Sequence, residues 1–496
     1  MVLMPIHLMM LLLAGGAGPS RLPIASDTLG RCADDLDRLV KKVEQNYAGF
    51  LLEVTGPGRA EFERHHARLR SRARAAVGDA CFFVLRDLID YFHDPHLFIY
   101  QNTDLDTGET ARRAAAVQTV DLTEASARRD LDARQGRLDP LEGIWRDRGL
   151  RVAIVPARNG AKDRLLAVVL TADTSIWKPG AVRATFVRRD DGSYNGEVYE
   201  ANYGRRIVRG EVYKRVLLRF SPGIWGKEYP VEEADRGLVD PSDAHRPTLL
   251  IRGRTVVLSI PSHDPSYKRA LDSLIRENAA QLSTATKLIL DLRGNEGGSS
   301  FMTNGLMPYV MSDSLRPSPL PDGPAVILSS EDQIRYATRS FASPGGVDSS
   351  PGLQRLLARM RANPGKLVPL ADSLDPPDDE PRDSVRPGLR KVGLLVDRGT
   401  VSAAEAFLVR AMRSRRVTVF GEATGGALDY QSVSIVRFQA SGKRWYFGYP
   451  TITARADLPK GGIKGRGVQP NIRIEWSREP DPIGRVEREL DRVAWP

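Results

Sequence analysis

The sequence predicts an α/β core preceded by a helical N-terminal domain and an antiparallel β insert, and three observations predict it. Two short apolar runs, Lys287 to Leu290 and Val392 to Val396, each break into small residues and then enter a helix-compatible segment. That is how a sheet delivers loops to the carboxyl edge of its strands. Short β-type runs at close spacing fill the stretch from about 139 to 230. Leu36, Val40, Val43, Tyr47 and Phe50 recur at alternating fours and threes, the stripe of an amphipathic helix. A chain of 496 residues is too long for one ordinary core. The expected divisions are a signal peptide over 1–25, helices over 30–110, the β-rich barrel-like insert over 139–230 and the α/β core over 247–480.

The first element is a targeting segment. Leu8 to Ala14 is an apolar run followed by Gly, Ala and Pro19-Ser20, the core and small-residue exit of a secretory signal, although no Lys or Arg precedes it. The run is too short to remain as a membrane span, so the expectation is an exported protein, periplasmic or extracellular, with no stable membrane insertion after signal removal. Cys32 and Cys81 are the two cysteines of the chain. Export makes a disulfide between two N-terminal helices reasonable; two buried free thiols are the alternative. Neither spacing resembles a metal site.

Residues from about Asp34 to Ile89 read as helices, the last carrying Phe82, Phe83, Leu85, Leu88 and Ile89. They stop at His93-Asp-Pro-His96, because Pro95 forbids helical continuation, and Leu97 to Tyr100 reads as a strand start. In the insert, Gly143 to Trp145, Val152 to Val155 and Leu166 to Leu170 are β-type runs, with a turn at Asp190-Asp-Gly192. Trp145, Trp177 and Trp225 read most simply as its core plugs; a ligand-carrying barrel is the other reading. From about Pro247, strands at Thr255 to Ile260, Leu288 to Leu292 and Pro324 to Leu328 enclose a helix over Tyr267 to Leu282. The acidic, Pro-rich stretch Ser373 to Pro387 is expected to be a disordered connection.

Composition sets limits on function. The chain is 41% hydrophobic and 27% charged, which is too apolar for wholesale disorder. Its formal charge of +10 comes from scattered arginines, without the basic, aromatic-interleaved stripe of a nucleic-acid binder. No nucleic-acid partner is expected.

Chemistry concentrates at Asp291-Leu-Arg-Gly-Asn-Glu-Gly-Gly298 and at Ser402-Ala-Ala-Glu405. A hydroxyl needs a base to take its proton and N–H donors to receive the oxyanion. Ser402 sits where a strand ends and a helix can begin, so the N–H of Ala403 would face a developing oxyanion. Gly297 and Gly298 can bring a second N–H close, because no Cβ obstructs the approach. Alone, Ser402 would read as a helix cap and the Gly pair as a turn; their joint occurrence after two apolar strands reads as a catalytic site.

At these residues the chain resembles the superfamily of tail-specific (C-terminal-processing) proteases and the tricorn protease core. Further matches are Gly421-Glu-Ala-Thr-Gly-Gly426, Gly467-Val-Gln-Pro-Asn-Ile472 and the Asp94-Pro-His96 turn. The resemblance covers roughly 34–110 and 250–475. It implies a core of ClpP/crotonase-like sheet-and-helix layers, Ser402 as nucleophile, a peptide or unfolded protein as substrate, and no cofactor or metal. The catalytic Lys of tail-specific members is missing, since the first lysine after Ser402 is Lys443. Tricorn-like members use a His at the position of His96, which fits proton transfer near neutral pH; His93 and His263 are fallback bases. For the group that orients the imidazole, Asp94 and Asp429 are candidates, and Asp429 is preferred. Lys464 stands where the family carries an acidic residue and is a further, weaker candidate base. No carboxylate-binding loop of a PDZ domain is evident, so a preference for free C-termini is not implied. The alternative function is a non-catalytic ligand-binding or scaffold protein on the same fold.

Overall fold

Sequence periodicity turns into two compact units in the computed structural model, which describes residues 31–77, 79–101, 107–157, 164–173, 176–220, 223–321, 323–342, 351–370, 391–440 and 443–493. The expected signal segment and the Ser373 to Pro387 stretch lie outside the described residues. One unit comprises residues up to 102 with 320–382 and 426–467; the other comprises 103–319, 383–425 and 468–496. The 247–480 stretch is thus shared between the two units. No helix among the described residues is long and apolar enough to cross a membrane.

The first unit packs helices Arg31–Asn46, Ala48–Glu53, Pro57–Ala75 and Asp79–Asp90 against an antiparallel sheet. The stripe read from the sequence is the packing face, since Leu36, Val40, Val43, Tyr47 and Phe50 are all buried. They meet Trp445, Phe447 and Tyr449 of the long strand Lys443–Thr453 in one apolar cluster. That strand pairs with Tyr430–Ala440 on one side and with Phe98–Gln101 and Val326–Leu328 on the other. Cys32 and Cys81 form a disulfide across a Cα separation of 5.5 Å, tying the first helix to the fourth; the alternative of free thiols does not hold.

The second unit contains a closed antiparallel barrel of eight strands between Gly143 and Tyr229. Closure leaves no exposed strand edge. Its interior is filled by Trp145, Ile154, Phe186, Tyr194, Leu218 and Trp225, among others. The tryptophans are core plugs, as the simpler reading expected, and the barrel has a packed centre.

The same unit holds a six-stranded sheet in the order Thr248–Arg252, Thr255–Ser259, Lys287–Asp291, Lys391–Val396, Val417–Gly421 and Ile472–Arg473. The first pair is antiparallel and the others are parallel. Parallel neighbours need long crossovers. Helix Lys268–Glu277 supplies one and helix Ala403–Ala411 another. Leu290 pairs with Leu394 and Asp291 with Leu395. Two adjacent parallel strands therefore end at the same edge, which is why the Gly-rich loop and the Ser402 loop become neighbours despite more than a hundred intervening residues.

Candidate active site

Ser402 stands at the turn from strand Lys391–Val396 into helix Ala403–Ala411 with φ +58° and ψ −123°. A non-glycine residue held there costs on the order of 1–3 kcal/mol, and such strain clusters at functional sites. Strand, strained serine and helix together have the form of a nucleophile elbow.

The neighbouring groups fix the elbow. The Ser402 N–H donates to Glu405 Oε2 at 3.1 Å. The other oxygen of this fully buried carboxylate accepts from the Thr424 hydroxyl. Thr424 Oγ1 accepts in turn from the N–H of Val468 at 2.8 Å. The Ser402, Gly421 to Gly426 and Gly467 to Ile472 motifs thus share one hydrogen-bonded chain behind the nucleophile.

Gly297 packs directly on the elbow. A Cβ there would lie 2.6 Å from Ser402 Cβ, 2.8 Å from Val401 O and 3.0 Å from Ala403 N, and its φ is +87°. Only glycine fits. Gly298 has φ +137°, and a Cβ there would meet His263 O at 2.3 Å. Ser402, Ala403, Gly297 and Gly298 are therefore brought together at one sheet edge.

One detail departs from expectation. The Gly297 N–H already donates to Asn295 Oδ1 at 2.9 Å, so Gly297 cannot also offer it to an oxyanion. Gly298 is exposed, and among the described residues nothing accepts its N–H. Ala403 opens its helix, where N–H groups lack intrahelical acceptors.

A buried charge cluster lies beneath the two loops. Asp291 receives Arg293 Nε and Nη2, both at 2.9 Å. Lys214, reaching in from the barrel, has no exposed side-chain surface; its Nζ lies 3.4 Å from Asp291 Oδ2 and donates to Ser259 Oγ at 2.8 Å. Burial pushes the Asp291 carboxyl up, but the Arg293 and Lys214 charges outweigh it and hold it down at about 2. Asp397 accepts the N–H groups of Gly294 and Gly399 at 2.8 and 2.9 Å. Burial raises Asp397 to about 6 against the pull of those donors and of Arg293. The barrel residue Tyr213 packs where a side chain on Gly294 or Gly399 would stand, within 2.9 and 2.5 Å of the missing Cβ positions. Arg219, also from the barrel, pairs with Glu296 at 2.7 Å. Sequence reasoning passed over Lys214, Tyr213 and Arg219, because nothing local marks a barrel hairpin as the floor of a distant loop.

His96 and Asp429 belong to the other unit. His96 is half-buried and its Nδ1 lies 2.6 Å from the carbonyl oxygen of Tyr430. A ring nitrogen facing a carbonyl must carry the proton, so Nε2 is left as the acceptor. The preference for Asp429 as the orienting group is corrected. Its Oδ2 accepts the N–H of Lys464 at 2.8 Å, and the backbone carbonyl of the next residue holds the ring instead. Asp94 accepts the N–H of His96 at 2.9 Å and shapes the turn rather than gripping the imidazole. Lys464 is engaged by Glu53, which also accepts from the Tyr430 hydroxyl at 2.6 Å. Of the fallback bases, His93 is exposed with φ +49°. His263 is fully buried in the second unit, and burial pushes its imidazole down to about 4 against the hydrogen bond to Asn295; a ring shut away from solvent is a poor proton acceptor for substrate chemistry.

Strand, elbow and paired glycines belong to the class of serine-type peptidases. Residues 344–474 match the model of peptidase family S41. That stretch holds Ser402, Glu405, Thr424 and the Gly467 to Ile472 segment, so the resemblance drawn from the motifs is borne out. No curated protein matches the sequence. Solved structures that align with the chain include mature CPAF complexed with lactacystin, at 13% identity and a TM-score of 0.44, covering 93% of this chain and 99% of that one. The photosystem II D1 C-terminal processing protease aligns at 14% identity and a TM-score of 0.32, over 93% and 97%. The tricorn protease aligns at 11% identity and 0.38, over 93% of this chain and 37% of its own.

Proposed function

We propose that the protein is an exported serine peptidase, periplasmic or extracellular, that cleaves peptide bonds through an acyl-enzyme on Ser402, on a core with ClpP/crotonase-like layers. The carrying observation is the strained conformation of Ser402 with Gly297 packed against it, a local cost that a mere helix cap has no reason to bear. In this reading the Nε2 of His96 takes the Ser402 proton, Nδ1–H donates to the Tyr430 carbonyl, and the imidazolium returns the proton to the leaving amine. The N–H groups of Gly298 and Ala403 receive the oxyanion. Water then attacks the acyl carbonyl with the same histidine as base, freeing the serine.

A fluorophosphonate probe tests the reading. Wild type should label covalently, Ser402→Ala should not, and His96→Ala should label far more slowly. Absence of labelling in folded wild type would overturn it. Cleavage of a peptide library by the same three proteins then defines the substrate, and N-terminal sequencing of protein recovered outside the cytoplasm tests signal removal. A second reading, a binding protein on the same fold, draws on one observation: the imidazole is held by a carbonyl, which stabilises imidazolium less than a carboxylate does.

A further inference from the structure

Resting on the peptidase reading above, we propose that His263 is a positioning residue: its neutral imidazole, protonated on Nδ1, locks Asn295 so that Gly298 and Ala403 supply the oxyanion donors. The tautomer follows from Asn295. Its Nδ2 donates to the carbonyl of Ile260 at 2.8 Å and its Oδ1 accepts from the Gly297 N–H at 2.9 Å. Two backbone groups of opposite character fix which end of the amide is oxygen. His263 Nδ1 lies 3.1 Å from that same Oδ1, so it can only be a donor. Nε2 is buried with no partner among the described residues. Left as a bare lone pair it costs less than an orphaned N–H would.

The main chain adds a second clamp. The His263 N–H donates to Gly297 O at 3.0 Å, and His263 O accepts from the Ser299 N–H at 2.8 Å. The loop is thereby stitched to the end of the neighbouring strand on both sides of Gly298. Asn295 also reaches the nucleophile, since its backbone oxygen accepts from the N–H of Val401 at 2.9 Å. One asparagine thus accepts the imidazole N–H, diverts the Gly297 N–H away from the pocket, and sets the residue before Ser402. Burial holds the ring neutral down to about pH 4, so the donor pattern stays constant above that pH.

Two measurements test this. Site-specific NMR of isotope-labelled histidine in the wild-type protein should show His263 with a protonated Nδ1 and a bare Nε2; the reverse tautomer, or a charged ring near neutral pH, would overturn the proposal whatever the activity. The fluorophosphonate labelling rate should fall about 10- to 100-fold in His263→Leu, a misplacement effect. It should recover to within about threefold of wild type in His263→Asn, whose amide N–H can stand where Nδ1–H stood. Folding of both variants is checked by circular dichroism. A folded His263→Leu that labels at the wild-type rate, or an Asn variant as slow as Leu, would defeat the idea. If His263→Leu fails to fold, the tautomer decides alone. Wild type that never labels would instead sink the peptidase reading and leave the tautomer result standing.

Discussion

The surroundings of Ser402 and of His96 are built on different principles. Around Ser402, side chains satisfy the main chain: Glu405 takes the serine N–H, Asp397 takes those of Gly294 and Gly399, and Asn295 takes that of Gly297. Around His96 the direction is reversed, and a backbone carbonyl, that of Tyr430, holds the imidazole. The first arrangement writes itself into sequence as motifs, because particular side chains are required. The second accepts nearly any residue that leaves the carbonyl in place. That is why the Ser402 segment stands out as a motif, while no residue type marks the Tyr430 carbonyl beside His96.

The contrast can be broken first at Gly297. Gly297→Ala places a methyl 2.6 Å from Ser402 Cβ at a φ of +87°, so labelling by fluorophosphonate should fall by about 100-fold or more through displacement of the elbow. A variant that labels normally would show that the two loops are less tightly coupled than their packing indicates. Next is Glu405→Ala, which strands the Ser402 N–H and the Thr424 hydroxyl. Each buried group left unpaired costs about 1–3 kcal/mol, readable as a lower urea midpoint at unchanged slope. Tyr430→Phe sharpens the other side. It keeps the carbonyl that grips His96 and removes only the hydroxyl bonded to Glu53, so stability should drop by about 1 kcal/mol while the labelling rate holds.

The smallest effect is in pH. His263, at about 4 in the fold, lies below its unfolded value of roughly 6.5. The unfolded chain binds the extra proton between those values, so this residue's share of stability is present above about pH 6.5 and is lost as pH falls toward about 4. Asp397, raised to about 6 from roughly 3.9 unfolded, acts in the opposite sense: the fold gains from its protonation as pH drops through about 6. The two oppose each other in wild type. In His263→Leu only the Asp397 contribution remains, so the stability gap between variant and wild type should narrow on acidification from about pH 6.5 to about 4. Thermal unfolding midpoints across that range read it, and a gap that widens would show that the ring is not the buried neutral group described.

How much was legible follows the same division. The stripe from Leu36 to Phe50 and the alternating runs of the insert were readable because each signal is local and repeats with the period of its element. The site's glycines were readable because a close backbone approach leaves no other choice of residue. What escaped was pairing across great sequence distance. Phe98–Gln101 joins Trp445 to Gly448, and Glu53 meets Lys464. The charge at 464 departs from the family pattern and gave no hint that its partner sits in the second N-terminal helix. Lys214 escaped for a related reason: a lysine in a hairpin reads as solvated until the fold removes its water.

The seating of Tyr213 and Lys214 has an evolutionary consequence. Glycines at 294 and 399 leave room for an aromatic ring donated by the barrel, and the ammonium beneath Asp291 comes from the same hairpin. The barrel is therefore no detachable accessory. A lineage that exchanged it for another module would leave two hollows beside the Ser402 loop and strip one of the two positive charges from the buried Asp291 carboxylate, so hairpin and loops must be inherited as one piece.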